Sequence, residues 1–251
     1  MPNPSQVRRV KGLLRHTLDQ LLLVDLIRYA VVAVRYLWFV QVRRRLVTYD
    51  PGTAVSSPVA SNTVSHNLKG LRDLAVNRSH LLVRPLSVIE ALPVDARVLS
   101  IGPRTEGELF SLAAHGFVWR QITGLDLISY SPRVRLGDMH DTRLDADHFD
   151  AVILGWVLAY SEEPGRAARE VVRITRAGGV VAVGVEYSPL SQQQIIDDAG
   201  YLPGARHRIA SCDEILDFFG AAVGHVYYKH DIAAGDQGQV GAFCVIFSVR
   251  K

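Results

Sequence analysis

The chain has 251 residues, a formal net charge of +3 and an apolar fraction of 48%, which suits one α/β domain with a sizeable core and excludes wholesale disorder. Its two cysteines, Cys212 and Cys244, lie far apart with no C-x-x-C or metal-ligand spacing, so they exclude a disulfide scaffold and are expected to be reduced, structural thiols in a cytosolic compartment. The nine histidines are dispersed as well, and no metal site is expected.

Charge is concentrated at the start. The first 46 residues hold nine Arg or Lys against Asp19 and Asp25, a surplus of seven, which leaves about −4 on the remainder. Between Arg8-Arg9-Val10-Lys11 and Arg43-Arg44-Arg45 lies Leu21 to Val42, rich in Leu, Val, Tyr, Trp and Phe. Asp25, Arg28 and Arg35 interrupt this run at helical spacing, giving a narrow polar stripe on an apolar helix. A spanning helix would carry each arginine at roughly 2.5 to 3.5 kcal/mol. A helix in the interface, with its stripe toward water and its arginines on anionic headgroups, avoids that cost. Residues 8–46 are therefore expected to make peripheral contact with the inner face of a membrane. Packing on the chain's own domain, or on a second subunit of a homo-oligomer, is the competing reading. Charges within the apolar run argue against a signal peptide. Arginine clusters without interleaved aromatics predict no nucleic-acid partner.

From Thr48 to Asn67 the composition turns to Pro, Gly, Ser, Thr and Asn, so Tyr49 to His66 is expected to be a linker or a lid. Helices are expected to resume over Leu68 to Val76 and Ser79 to Leu92. This divides the chain into an extension, 1–70, and a domain, 71–251.

The domain opens with an apolar strand, Val98 to Ile101, that runs into Gly102-Pro103-Arg104-Thr105-Glu106-Gly107. A second short strand, Ile122 to Asp126, ends in a carboxylate. Gly137-Asp138-Met139 follows, then a buried-strand run from Phe149 to Leu154. A helix leads through Arg176-Ala177-Gly178-Gly179 into Val180 to Glu186. Strands alternating with helices predict a Rossmann-like, doubly wound, mostly parallel sheet with its ligand at the strands' carboxyl ends. His225 to Ile232 and Ala242 to Arg250 are expected to close it as an antiparallel pair. Glycine in such a turn relieves collisions, and a strand-end carboxylate can accept bonds from a ribose diol.

This order of parts resembles the class I S-adenosylmethionine-dependent methyltransferases over roughly residues 90 to 251. The resemblance implies S-adenosyl-L-methionine as cofactor, held by Gly102 and Gly107 in the turn, by Asp126 at the ribose and by Asp138 with the Met139 backbone at the adenine. Gly155 joins this set. The segment Phe149 to Tyr160 is similar to the family's fourth strand and following helix. The implied reaction is an in-line displacement at the sulfonium methyl, driven mainly by alignment. The implied acceptor is a small molecule, a glycan or a lipid-linked group.

The turn departs from the family pattern. Ser100 stands where an acid is usual, and Arg104 and Glu106 replace glycines. Either the turn is rebuilt, with Arg104 pairing the cofactor's carboxylate, or Arg104 is solvated or paired with Glu106 or Glu108. A chain that keeps the fold without catalysis, as a binding or scaffold protein, remains an alternative. Gly102, Arg104 and Gly107 also occupy the places of a G-x-G-x-x-G fingerprint, but an arginine in the middle would obstruct a pyrophosphate. The NAD(P)-dependent oxidoreductase reading is thus the minor one. On the acceptor side the candidates are His140, Trp156, Tyr160, Glu186 and Tyr187. Trp156 and Tyr160 are expected on one helix face, and no residue is assigned as the catalytic base.

Overall fold

In the computed structural model, residues 20–50, 57–71, 80–199, 208–236 and 238–251 are described. Helix α1 (Asp25–Tyr36) runs into a π-helical turn, Leu37–Val42. A short strand β1 (Val47–Thr48) precedes helices α2 (Ser57–Gly70) and α3 (His80–Ser87). Then follow β2 (Val98–Ile101), α4 (Glu106–Ala114), β3 (Ile122–Asp126), β4 (Ile128–Ser129), β5 (Val134–Leu136) and β6 (Phe149–Gly155). The chain closes with α5 (Pro164–Ile174), β7 (Thr175–Tyr187), α6 (Gln192–Ala199), α7 (Cys212–Phe219), β8 (Val223–His230) and β9 (Gly241–Val249).

Seven strands form one sheet in the order β5-β3-β2-β6-β7-β9-β8, while β1 and β4 make a separate pair. The first five are parallel, and β9 runs antiparallel to both β7 and β8, as the closing pair was expected to do. Every residue of β6 is buried because helices cover both faces of the sheet. Alternate residues divide between those faces. Val152 and Leu154 pack with Ala167, Val171 and Ile215, whereas Ala151 and Ile153 pack with Leu82, Leu86 and Leu109. Cys212 and Cys244 belong to opposite faces, and both are free and buried.

Helix boundaries follow local chemistry. Thr105 caps α4 by accepting from the Gly107 N–H, Pro164 stands in the first turn of α5, and Ser211 caps α7 by accepting from the Glu214 N–H. In the last case Glu214 returns the bond, accepting from the Ala210 N–H at 2.8 Å, which completes a reciprocal cap.

The structure differs from the sequence reading, or leaves it open, at four places. The expected linker or lid, Tyr49 to His66, is helical from Ser57, and α2 buries Val64 against Ile128 and Tyr130. The helix expected over Leu68 to Val76 falls mostly outside the described residues, and α3 is shorter than Ser79 to Leu92. After β6 there is a single 3-10 turn, Leu158–Tyr160, so Trp156 and Tyr160 share no helix face. Finally, the polar stripe of α1 meets the domain instead of water. Arg28 is buried and donates to Leu22 O at 2.9 Å and to Asp25 at 2.5 Å, with His80 at 3.1 Å. Val32 is fully buried beside Phe110. Arg35 grips Glu106 with two bonds of 2.6 and 2.8 Å and lies over the rings of Phe39, Phe110 and Trp119.

Candidate active site

Parallel pairing brings the carboxyl ends of β2, β3, β5 and β6 into line: Ile101 pairs with Leu125 and Leu154, and Asp126 with Leu136. The chain leaves β2 through Gly102, whose φ of +75° suits glycine. A Cβ there would stand 1.9 Å from Val157 Cγ1, so the side chain of Val157 rests directly on the turn. Arg104 holds φ +49°, an uncommon value for a residue with a Cβ. That conformation aims its N–H at Asp126 Oδ2, 2.8 Å away.

Asp126 is the centre of the site. It is buried, and besides Arg104 it accepts from the Ile128 N–H and from the Asn67 side-chain amide, each at 3.2 Å. Burial pushes its carboxyl up to about 6, against the opposing pull of the Arg104, Ile128 and Leu127 N–H groups. Asn67 belongs to α2, which therefore lies over the strand ends. The same helix sets His66 against Tyr160, ring centroids 6.2 Å apart, and Gly70 against the Arg104 guanidinium.

The two acids of the turn are partnered, though not by Arg104. Glu106, fully buried, holds Arg35 and accepts from Ser131 Oγ, while its N–H donates to the Tyr130 hydroxyl at 3.1 Å. Glu108 accepts from Ser100 Oγ and lies beside Gly155, where a Cβ would come within 3.0 Å of its carboxylate. A carboxylate thus returns to the end of β2 from the first turn of α4, and Gly155 leaves room for it. Gly107 serves the helix cap.

Next to Asp126, Gly137 N donates to Asp126 O at 3.0 Å and delivers Asp138 to the same edge. Asp138 Oδ1 accepts from the His140 N–H at 2.9 Å and from its ring Nδ1 at 2.6 Å. The other ring nitrogen lies 2.6 Å from Ser161 Oγ, and that oxygen accepts from the Glu163 N–H at 3.0 Å. With Nδ1 donating to the carboxylate, Nε2 accepts from the serine hydroxyl. His140 accordingly fixes the Asp138 loop to the start of α5. Met139 is half-buried against the core.

The remaining candidates separate. Trp156 is buried at φ +68° with its ring against Gly184, in the cluster that contains Leu82. Glu186 is exposed near the end of β7, and Tyr187 packs edge-on against Phe243 at 5.6 Å. Asp126, Asp138, Arg104 and Gly102 are gathered at one edge, and Tyr160 joins them through α2. Asn67 escaped sequence reasoning, as did the pairing of Glu106 with Arg35 and of Glu108 with Ser100. Only the presence of Arg35 in an apolar helix signalled anything.

Comparison with known proteins agrees with this architecture. Residues 99–183 match the family model described as a methyltransferase domain. No curated protein matches the sequence. Among solved structures, the [4+2]-cyclase SpnF is 15% identical with a TM-score of 0.54, over 75% of this chain and 93% of that one. The CurJ carbon methyltransferase is 13% identical with a TM-score of 0.52, over 100% of this chain and 72% of that one. The YcgJ protein from Bacillus subtilis is 15% identical with a TM-score of 0.50, over 68% of this chain and 99% of that one. The resemblance to class I methyltransferases is borne out, and S-adenosyl-L-methionine is the cofactor that the methyltransferase match supports.

Proposed function

We propose, taking the methyltransferase domain at residues 99–183 as the premise, that this chain transfers a methyl group from S-adenosyl-L-methionine to a small-molecule, glycan or lipid-linked acceptor. The observation that carries the reading is Asp126, a buried acid at a parallel strand's carboxyl end beside a left-handed glycine turn. Its donor set fits a ribose. Of its side-chain and backbone partners, the Asn67 amide comes from the covering helix, and a hydroxyl could take its place. Asp138, held by His140, would face the adenine. Arg104 would offer its guanidinium to the cofactor's carboxylate, a planar fork suited to that group.

When bound, the cofactor supplies an electrophilic methyl on a cationic sulfur. The chain's own contribution is alignment, which in well-oriented reactions is worth on the order of 7 to 11 kcal/mol. Tyr160 and His66 border the acceptor side, and the exposed Glu186 is the acid at the end of β7. Both ring nitrogens of His140 are engaged, and its bond to Asp138 positions that carboxylate.

A second reading, a fold kept for binding or for other chemistry, draws on the packing of Val157 onto Gly102 and of Asn67 onto Asp126. SpnF, described as a [4+2]-cyclase, has the same fold, and fold alone does not fix chemistry. Calorimetry with S-adenosylhomocysteine and with NAD(P) separates these readings. The methyltransferase binds the first alone and loses it in Asp126→Ala. Binding of neither points to the scaffold, and binding of NAD(P) alone to the oxidoreductase.

A further inference from the structure

We propose that the outward face of α1 and of the π-helical turn after it docks on an anionic lipid bilayer. Arg28, Val32 and Arg35 fasten one side of this helix to the domain. The opposite side carries Leu26, Ala30, Val34, Leu37, Trp38 and Val42, all exposed and spaced as one stripe along the helix. Leu26 is 76% exposed, Val34 66% and Trp38 51%, so the stripe is uncovered. The amphipathic pattern is inverted, because both arginines of the helix turn toward the domain and the apolar side faces out. A continuous apolar face of this kind marks an interaction site.

Charge identifies the occupant. The stripe ends at Arg43, Arg44 and Arg45, all exposed, and the only acid between residues 20 and 46, Asp25, is already bonded to Arg28. A second copy laid along the stripe would oppose arginine to arginine if parallel, or set three arginines beside that engaged acid if antiparallel. An anionic headgroup layer satisfies the three cations, receives the apolar stripe and suits tryptophan at its boundary. The chain before residue 20 adds Arg8, Arg9, Lys11 and Arg15. No helix among the described residues is long and apolar enough to cross a membrane, so the helix lies flat. It would hold the turn at Glu106 about one helix diameter, roughly 10 Å, from the lipid surface. The proposal does not depend on methyl transfer.

The test is co-sedimentation of the full chain with large vesicles of phosphatidylcholine alone or with 30% phosphatidylglycerol. Wild-type protein should sediment with the anionic vesicles, and less so at high salt. Replacing Arg43, Arg44 and Arg45 by glutamine should lower the partition coefficient roughly a hundredfold. The pair Leu37→Asp and Trp38→Asp should lower it about tenfold or more. Both variants alter only exposed side chains, and circular dichroism checks that they fold. Absence of sedimentation, or sedimentation that neither variant weakens, overturns the proposal. So does a dimer in gel filtration that the Leu37/Trp38 variant dissociates while vesicles bind nothing, because a second copy would then be the occupant.

Discussion

Asp126 combines two demands that conflict. Its burial favours the neutral acid, whereas a ribose diol needs an acceptor. Because burial raises the folded carboxyl from an ordinary 3.8 to about 6, the folded chain binds the proton more tightly than the unfolded one. Stability contributed by the protonated acid is complete below about pH 4 and is lost as pH rises through about 6, a loss on the order of 3 kcal/mol. Cofactor binding should run the other way, since hydroxyl donors favour the carboxylate. The affinity for S-adenosylhomocysteine is expected to rise between pH 5 and 7 and then level. Asp126→Asn should flatten that rise. Calorimetry across this range checks it, and a flat wild-type profile would remove Asp126 from the ribose.

At the scale of elements, α1 is held mainly by one buried acid. Glu106 is fully buried and Arg35 is about one-third exposed, so removing the arginine leaves a carboxylate without its counter-ion. Arg35→Ala is expected to cost about 3 kcal/mol in urea unfolding. Adding Glu106→Gln should restore part of this, since the neutral amide needs no counter-ion. Equal losses in the single and double variants would mean that ring packing, not charge, fastens the helix. This clamp also shows what the sequence could reveal. Apolar runs announced β2, β3, β6 and β7, and the acid that ends β3 is the buried carboxylate at the strand ends. The partners of Glu106 and Asp126 were hidden because Arg35 and Asn67 lie 71 and 59 residues away along the chain. Likewise α2 grows from a Ser- and Asn-rich stretch that looks like a linker. It is helical because Val64 finds a buried place against β4, a tertiary gain that local propensity does not contain.

In the whole molecule, the N-terminal segment and the turn after β2 form one mechanical unit. Arg35 ends at Glu106, the first residue of α4, and Tyr36 packs edge-on against Tyr130, whose hydroxyl accepts the Glu106 N–H. Ser131 holds the other side of the same acid. Part of what fixes the turn's far end thus comes from a helix that contributes nothing to the expected ligand set. Removing residues 1–46 would strip the cover from Phe110 and Trp119 and leave Glu106 uncompensated. The truncated chain is expected to lose measurable affinity for S-adenosylhomocysteine and to melt at lower temperature, although Gly102, Asp126 and Asp138 are untouched. Arg35→Ala, with the helix still in place, should weaken binding less than truncation. Calorimetry and thermal unfolding on the three proteins order these effects. If the truncated chain bound like wild type, the turn would be rigid without α1, and the ion pair would serve only to carry the helix.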